Sequence, residues 1–507
     1  MGQRNEIQHW TLIEVAQHVA AGDVSAEEVA RSALDTIEEL NTPLGAFLTV
    51  TADQMLTQAR AVDARRTRGE PLGKLAGVPL GIKDALCTRG VPTTCGSKIL
   101  VRGSEPWRPP YDATTVARLW AEGALLAGKC NMDEFAMGSS TENSAFFPAR
   151  NPADPTRTPG GSSGGSAVAV AARMIPGALG SDTGGSVRQP AAYTGCVGVK
   201  PTYGRVSRFG LIAYASSLDV VGPMASDVRG AARLLEVIAG HDPRDGTSLD
   251  QPVDAYEAAC ERGVRGLRVG VPEEYFGTGL QPEVKTQVEA AIHLLEREGA
   301  TLVPVHLPHT RHAVATYYVI ATAEASSNLA RFDGVRFGLR HEPPAGDVTA
   351  MYEATRGKGF GPEVKRRIVL GTYVLSHGYY DAYYRKAQQV RTLIRRDFDQ
   401  VFGEVDVIAT PTAPTVAFLL GEQLDDPLTM YLNDVYTLPA NLAGLPALSV
   451  PVAPAPPSGG GSPLPVGLQL LGPPLAEARL FAAAAVVEAM LTSRQPPGAL
   501  SPTAPTP

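Results

Sequence analysis

Seven short apolar runs punctuated by glycine and proline constrain this chain more than any other feature. "GVPLGIKD", "GALLAGKC", "GALGSDTGG", "GLRVGVP", "TLVPVHLP", "VDVIATPTAP" and "PVGLQLLGP" read as buried strands. Stretches with helical spacing stand among them: "ATTVARLWAEG", "SDVRGAARLLEVIAG", "PEVKTQVEAAIHLLEREG" and "GYYDAYYRKAQQVRTLIRRDFDQVF". Strands separated by helices imply an α/β layered fold around a largely buried sheet.

The N-terminal stretch "VSAEEVARSALDTIEEL" opens with a capping box, Ser25 to Glu28, and predicts a helical region over 1–70 packed on the main body. Residues 71–495 form the main domain, and the Pro-rich 496–507 is expected to be a mobile tail. The segment 454–463 reads as a loop between two strands, and 240–265 as a surface loop with a domain boundary as the alternative. At 507 residues the length allows one large domain or two to three of about 150 residues.

Charge and composition narrow the classes. A net charge of −7 argues against this chain alone gripping a nucleic-acid backbone, so an RNA substrate would need a partner to hold it. No run of about 18 apolar residues is present, and the start lacks a basic segment followed by an apolar one, so a cytoplasmic protein without a membrane span is expected. Five cysteines without a CxxC pair suit a reducing compartment. His306, His309 and His312 are broken by Pro308 and read as a surface loop, so no metal is expected. Tyr379, Tyr380, Tyr383 and Tyr384 lie at helical spacing and read as packing.

Two glycine-serine clusters carry the chemistry. "PGGSSGGSA" lacks the lysine and Ser/Thr that complete a phosphate loop, and the apolar "AVAVAA" that follows reads as a packed helix, not a linker. In "SDTGGSVRQPA", Ser186 follows two glycines after a strand, where Thr183, Gly184, Gly185 and Ser186 could aim backbone N–H groups at one oxyanion. A serine needs a base. Lys83, at the end of an apolar strand, is a candidate because desolvation lowers an ammonium pKa; the alternative is a salt bridge to Asp84 or another acid. Asp182 and Arg188 are expected to fix the serine turn by hydrogen bonds.

"PLGIKD", "PGGSSGGSA" and "GSDTGGSVRQPA", in this order, resemble the amidase signature family. The resemblance implies a single large domain, a central mixed β-sheet covered on both faces by helices, and a Ser–cis-Ser–Lys triad. Ser186 would be the nucleophile, Ser162 the bridging serine after a cis peptide, and Lys83 the base; Ser163 is the neighbouring candidate for the bridge. Flanking blocks such as "MDEFAMGSSTENSAF" and "EASSNLARFDGVRFG" are similar to the A subunits of glutamyl-tRNA(Gln)/aspartyl-tRNA(Asn) amidotransferases. That similarity implies hydrolysis of L-glutamine, with ammonia passed to a B subunit that uses ATP and Mg²⁺ on mischarged tRNA, and a C subunit clamping the other two together in a heterotrimer. No cofactor is implied for this chain. Glutamine would be held by Arg367, Asp434 and Tyr317, with Tyr318 the other register. The competing readings are a stand-alone amidase for small or aryl amides and a catalytically inert scaffold.

Overall fold

The computed structural model describes residues 6–492; the predicted tail 496–507 lies outside them, as do 493–495 of the predicted main domain. Thirteen strands occur among the described residues. They are β1 (Phe47–Val50), β2 (Pro79–Lys83), β3 (Val101–Arg102), β4 (Glu105–Pro106), β5 (Leu125–Cys130), β6 (Gly177–Asp182), β7 (Val197–Lys200), β8 (Val220–Ala225), β9 (Arg268–Pro272), β10 (Thr301–Val305), β11 (Val407–Pro411), β12 (Ala447–Ala455) and β13 (Leu464–Leu471). Eleven build one sheet in the order β1-β5-β2-β6-β8-β7-β12-β13-β11-β9-β10, and β3 pairs only with β4. The sheet is mixed. β5, β2 and β6 run parallel, as do β11, β9 and β10, while the strands between β6 and β11 pair antiparallel.

Every residue of β2, β5, β6, β7, β8 and β11 is buried, so helices cover both faces of the centre of the sheet. All seven apolar runs became strands of this sheet. It gained four beyond them, β1, β7, β8 and β12, of which β8, "VVGPMA", contains Gly and Pro, which interrupt a strand pattern, yet Pro223 sits opposite Leu179 in register.

The Ser25 capping box forms as expected, with Ser25 N–H donating to Glu28 Oε2 at 2.8 Å and Glu28 N–H to Ser25 Oγ at 3.1 Å. The segment 1–70 is not wholly helical, however. Between the helices Ala26–Leu44 and Ala52–Thr67 it supplies β1, which pairs antiparallel with β5 at the sheet edge. One apolar core runs from Leu12 to Val487, so these helices share the interior of the main body. The loop 456–463 joins β12 to β13, which pair antiparallel. Segment 240–255 has no helix or strand, but Asp242 within it accepts a hydrogen bond from Ser207 Oγ at 2.7 Å and so ties it to the body.

Three of the four tyrosines read as packing are exposed: Tyr379, Tyr380 and Tyr383. The rings of Tyr379 and Tyr383 meet each other and Tyr373, and Tyr380 meets Tyr384; Tyr383 and Tyr384 lie on a π-helical turn, Asp381–Arg385, that precedes the helix Lys386–Val401. His309 Nδ1 pairs with Asp397 Oδ1 at 2.7 Å, whereas His306 lies near Glu274. Among the described residues, no helix is long and apolar enough to cross a membrane.

Candidate active site

Lys83 ends β2 and is fully buried. Its Nζ donates to Ser162 Oγ at 2.7 Å, to Ser163 Oγ at 2.8 Å and to the Ser181 carbonyl at 3.3 Å. Burial pulls its pKa from the ordinary 10.5 to about 7, against the opposing charges of Asp133 and Asp182. The salt bridge to Asp84 does not form. Successive side chains of an extended chain point to opposite faces, and Asp84 instead lies 3.6 Å from Lys129 Nζ and accepts from the Thr94 N–H at 2.8 Å.

The Gly161–Ser162 peptide is cis. Gly161 is required by close approach: a Cβ there would stand 2.1 Å from Asp133 Oδ2. The two serines that reach Lys83 are not equivalent. Ser163 Oγ also donates to the Ser181 carbonyl at 3.2 Å and accepts from the Ser181 N–H at 3.3 Å, so β6 occupies it. Ser162 Oγ has Lys83 as its sole hydrogen-bond partner among the described residues.

The second cluster turns from β6 into the helix Arg188–Thr194. Asp182 and Arg188 staple this turn from inside, Nε to Oδ2 at 2.9 Å and Nη2 to Oδ1 at 3.0 Å, both side chains fully buried. Burial works to raise the Asp182 pKa, but the Arg188 charge and hydrogen bonds hold it at about 2. Arg188 further donates to Gln469 Oε1 and Asn441 Oδ1, each at 2.6 Å, which anchors the turn to β13 and to the helix Leu438–Ala443. Ser186 passes its carbonyl to the Ser163 N–H at 3.1 Å, so the two clusters are directly joined. It is 7% exposed where Lys83 and Ser162 are 0%, and is therefore the member of the trio that meets the outside.

One expected oxyanion donor is corrected. The Gly185 N–H points at Asp182 Oδ1, 2.9 Å away, and is already used. Thr183, Gly184 and Ser186 keep N–H groups without an acceptor among the described residues. Gly185 instead serves by shape: its φ is +140°, and a Cβ would meet Thr437 Oγ1 at 2.2 Å.

Around this turn the fold gathers Tyr317, Asp434 and Arg367. A Cβ on Gly184 would stand 2.8 Å from the Tyr317 hydroxyl, and one on Gly185 3.0 Å from Asp434 Oδ1. Asp434 Oδ2 accepts from Ser139 Oγ at 2.5 Å, while Oδ1 is buried with no partner among the described residues. Burial raises the Asp434 pKa to about 7, with the Ser139 hydrogen bond opposing. Arg367, from the helix Pro362–Leu375, is 3% exposed, with its guanidinium over the ring of Tyr318. Tyr317 thus faces the serine turn and Tyr318 faces the arginine.

A buried lysine with a lowered pKa, joined through a serine after a cis peptide to a second glycine-serine turn, is a site built for acyl transfer. The model of the family described as Amidase matches residues 28–481. The chain belongs to the amidase family. Within this family it is 58% identical to the A subunit of the glutamyl-tRNA(Gln) amidotransferase of Moorella thermoacetica over 483 residues, 95% of this chain and 97% of the relative. It is 59% identical to the corresponding A subunit of Myxococcus xanthus over 94% of this chain and 96% of that one. Among solved amidase-family structures, the A subunit of the glutamyl-tRNA(Gln) amidotransferase from Thermotoga maritima superposes with a TM-score of 0.77 at 43% identity, covering 95% of each chain.

Several side chains at this site carried no signal in the sequence. Ser139, Tyr214, Glu363, Tyr431 and Thr437 are given no role by the sequence and arrive from segments far apart along the chain. Ser139 lies within "MDEFAMGSSTENSAF", Glu363 within "EVKRRI" and Tyr431 within "DDPLTMY", blocks that carry the family resemblance without marking these residues.

Proposed function

We propose that this chain is the glutamine-hydrolysing A subunit of a glutamyl-tRNA(Gln) amidotransferase. The observation that carries the reading is the pairing of a buried arginine and a buried, half-unpartnered carboxylate beside the serine turn. Glutamine carries a carboxylate and an ammonium on one carbon, and a neutral amide has no use for that pair. The near full-length identity to relatives bearing that name supports the same conclusion.

In this reading Ser186 Oγ attacks the side-chain carbonyl carbon of glutamine. Ser162 takes the Ser186 proton while giving its own to neutral Lys83, and the oxyanion is held by the free N–H groups of the turn. Collapse of the tetrahedral intermediate breaks the C–N bond, and the relayed proton leaves with ammonia. Water then attacks the acyl-enzyme by the same relay and releases glutamate. Arg367 holds the α-carboxylate, Asp434 the α-ammonium, and Tyr317 lines the pocket.

The chain itself uses no cofactor or metal in this scheme. Ammonia passes to a B subunit that activates the glutamyl group on mischarged tRNA with ATP and Mg²⁺, and a C subunit completes the heterotrimer. The net charge of −7 fits a division of labour in which the B subunit holds the tRNA. Assignment to the cytoplasm belongs to the same proposal, in which the mischarged substrate is Glu-tRNA(Gln), Asp-tRNA(Asn) or both. The test is ammonia release from L-glutamine by the chain with its partner subunits, mischarged tRNA and ATP, with Ser186→Ala as control. Hydrolysis of simple or aryl amides without any glutamine turnover would reject the reading in favour of a stand-alone amidase.

A further inference from the structure

Arg367 is held on three sides. Its Nε donates to Glu363 Oε1 at 2.8 Å, and its Nη1 donates to the Tyr214 hydroxyl at 2.7 Å. The rings of Tyr214, Tyr318 and Tyr431 surround the guanidinium carbon, with centroids at 5.7, 5.2 and 5.2 Å. Nη2 is the guanidinium nitrogen without a partner among the described residues. Glu363 is fixed in turn: the Tyr431 hydroxyl donates to the same Oε1 at 2.8 Å, and the Tyr431 ring stacks on Tyr318 at 3.8 Å. Glu363 precedes Arg367 by four residues on one helix, which places the two side chains on one face.

We infer that Glu363 is a positioning residue for substrate binding: it locks Arg367 so that the Nη2 edge faces the α-carboxylate of glutamine, and Tyr431 locks Glu363. This rests on the glutaminase reading above. An unheld arginine surrenders the freedom of a long side chain when it grips a ligand, whereas one already held in the bound geometry does not. Glu363 also carries a charge of the same sign as the substrate carboxylate. Its net effect is therefore a contest between orientation, which favours binding, and repulsion, which opposes it. The hydrogen bond from Nε to Oε1 fixes the guanidinium plane, and Arg366 Nη1 pairs with Glu363 Oε2 and offsets its charge, which puts orientation ahead.

The test uses the assembled amidotransferase and measures kcat and KM for glutamine beside the rate at which Ser186 is sulfonylated by phenylmethylsulfonyl fluoride, a neutral reagent with no carboxylate. Glu363→Ala is expected to raise KM for glutamine about tenfold or more with kcat little changed, the mark of lost binding and not of lost chemistry. Sulfonylation keeps its wild-type rate, and Glu363→Gln, which keeps the acceptor without the charge, restores KM. Tyr431→Phe, which keeps the ring and so protects folding, shifts KM the same way by a smaller factor. Equal losses on glutamine and on the sulfonylating reagent would mean a merely structural role, and a lowered KM in both Glu363 variants would mean that repulsion governs; either overturns the proposal. Wild-type enzyme that is sulfonylated but never turns over glutamine would instead reject the glutaminase reading itself.

Discussion

Lys83 Nζ and Ser162 Oγ stand 2.7 Å apart in a region neither side chain shares with solvent. A lysine there can act as a base near neutral pH, because burial holds its pKa at about 7. Asp434 sits at about 7 as well, for the same reason. Both groups must be deprotonated for glutamine hydrolysis: Lys83 to accept a proton, Asp434 to bind an ammonium.

The first prediction follows from that coincidence. kcat/KM for glutamine is expected to fall as pH drops below about 7, with a limiting slope steeper than one proton. Sulfonylation of Ser186 by a neutral reagent needs Lys83 alone and falls with a slope of one. Asp434→Asn abolishes the difference in slope. Identical one-proton profiles for the wild type in both assays would remove Asp434 from substrate binding.

The two serines that reach Lys83 make opposite predictions. Ser163 is engaged by the Ser181 backbone, whereas Ser162 is not. Ser162→Ala is therefore expected to lower kcat by about 10²–10⁴-fold, the range of a lost proton relay, with little change in stability. Ser163→Ala leaves the Ser181 N–H and carbonyl short of a partner and costs about 1–3 kcal/mol of stability, with the smaller effect on kcat. Pre-steady-state ammonia release and thermal melting of the two variants decide it. A larger kcat loss in Ser163→Ala would move the bridge by one residue.

How much of this was legible beforehand depends on where each residue sits. Lys83, Ser162 and Ser186 lie in compact motifs whose glycines and serines have no bland explanation as a group, and the fold brings them together. Five of the seven apolar runs, β2, β5, β6, β11 and β13, were readable because their residues are almost all buried, whereas β9 and β10 at the sheet edge are strands but not the buried ones expected, with β10 largely exposed or half-buried. β8 was not, since Gly222 and Pro223 break its pattern while the register with β6 overrides local preference. Glu363 and Tyr431 sit on different helices 68 residues apart, and no spacing rule announces that one hydroxyl will reach one carboxylate. The use of the Gly185 N–H by Asp182 is a matter of a single rotated peptide, below the resolution of any residue pattern.

Gly185 carries a prediction of its own. A side chain at φ +140° is strained, at roughly 1–3 kcal/mol, and the added methyl would collide with Thr437 Oγ1. Gly185→Ala is expected to displace the Ser186 turn and remove turnover, while Thr437→Ser, which keeps the hydroxyl that donates to the Gly184 carbonyl, retains it. Combining Gly185→Ala with Thr437→Gly removes the collision but not the strain, so only partial recovery of ammonia release is expected. Full recovery would show that crowding alone fixes the turn.

The last prediction concerns the stability that the buried base costs. The ordinary lysine pKa of 10.5 applies to the unfolded chain, and about 7 to the folded one, so between those values the unfolded chain holds a proton that the folded chain lacks. Folding is opposed by this difference fully below pH 7, less as pH rises, and not at all above 10.5. A shift of that size amounts to roughly 5 kcal/mol at its greatest. Lys83→Met removes the penalty and gives up the hydrogen bonds to Ser162, Ser163 and Ser181, worth about 1 kcal/mol each. The inactive variant is therefore expected to resist urea better than the wild type at pH 7, by about 2 kcal/mol, and to lose that advantage by pH 10. A difference that does not move between pH 7 and pH 10 would show that Lys83 is charged in the folded chain and would deprive the relay of its base.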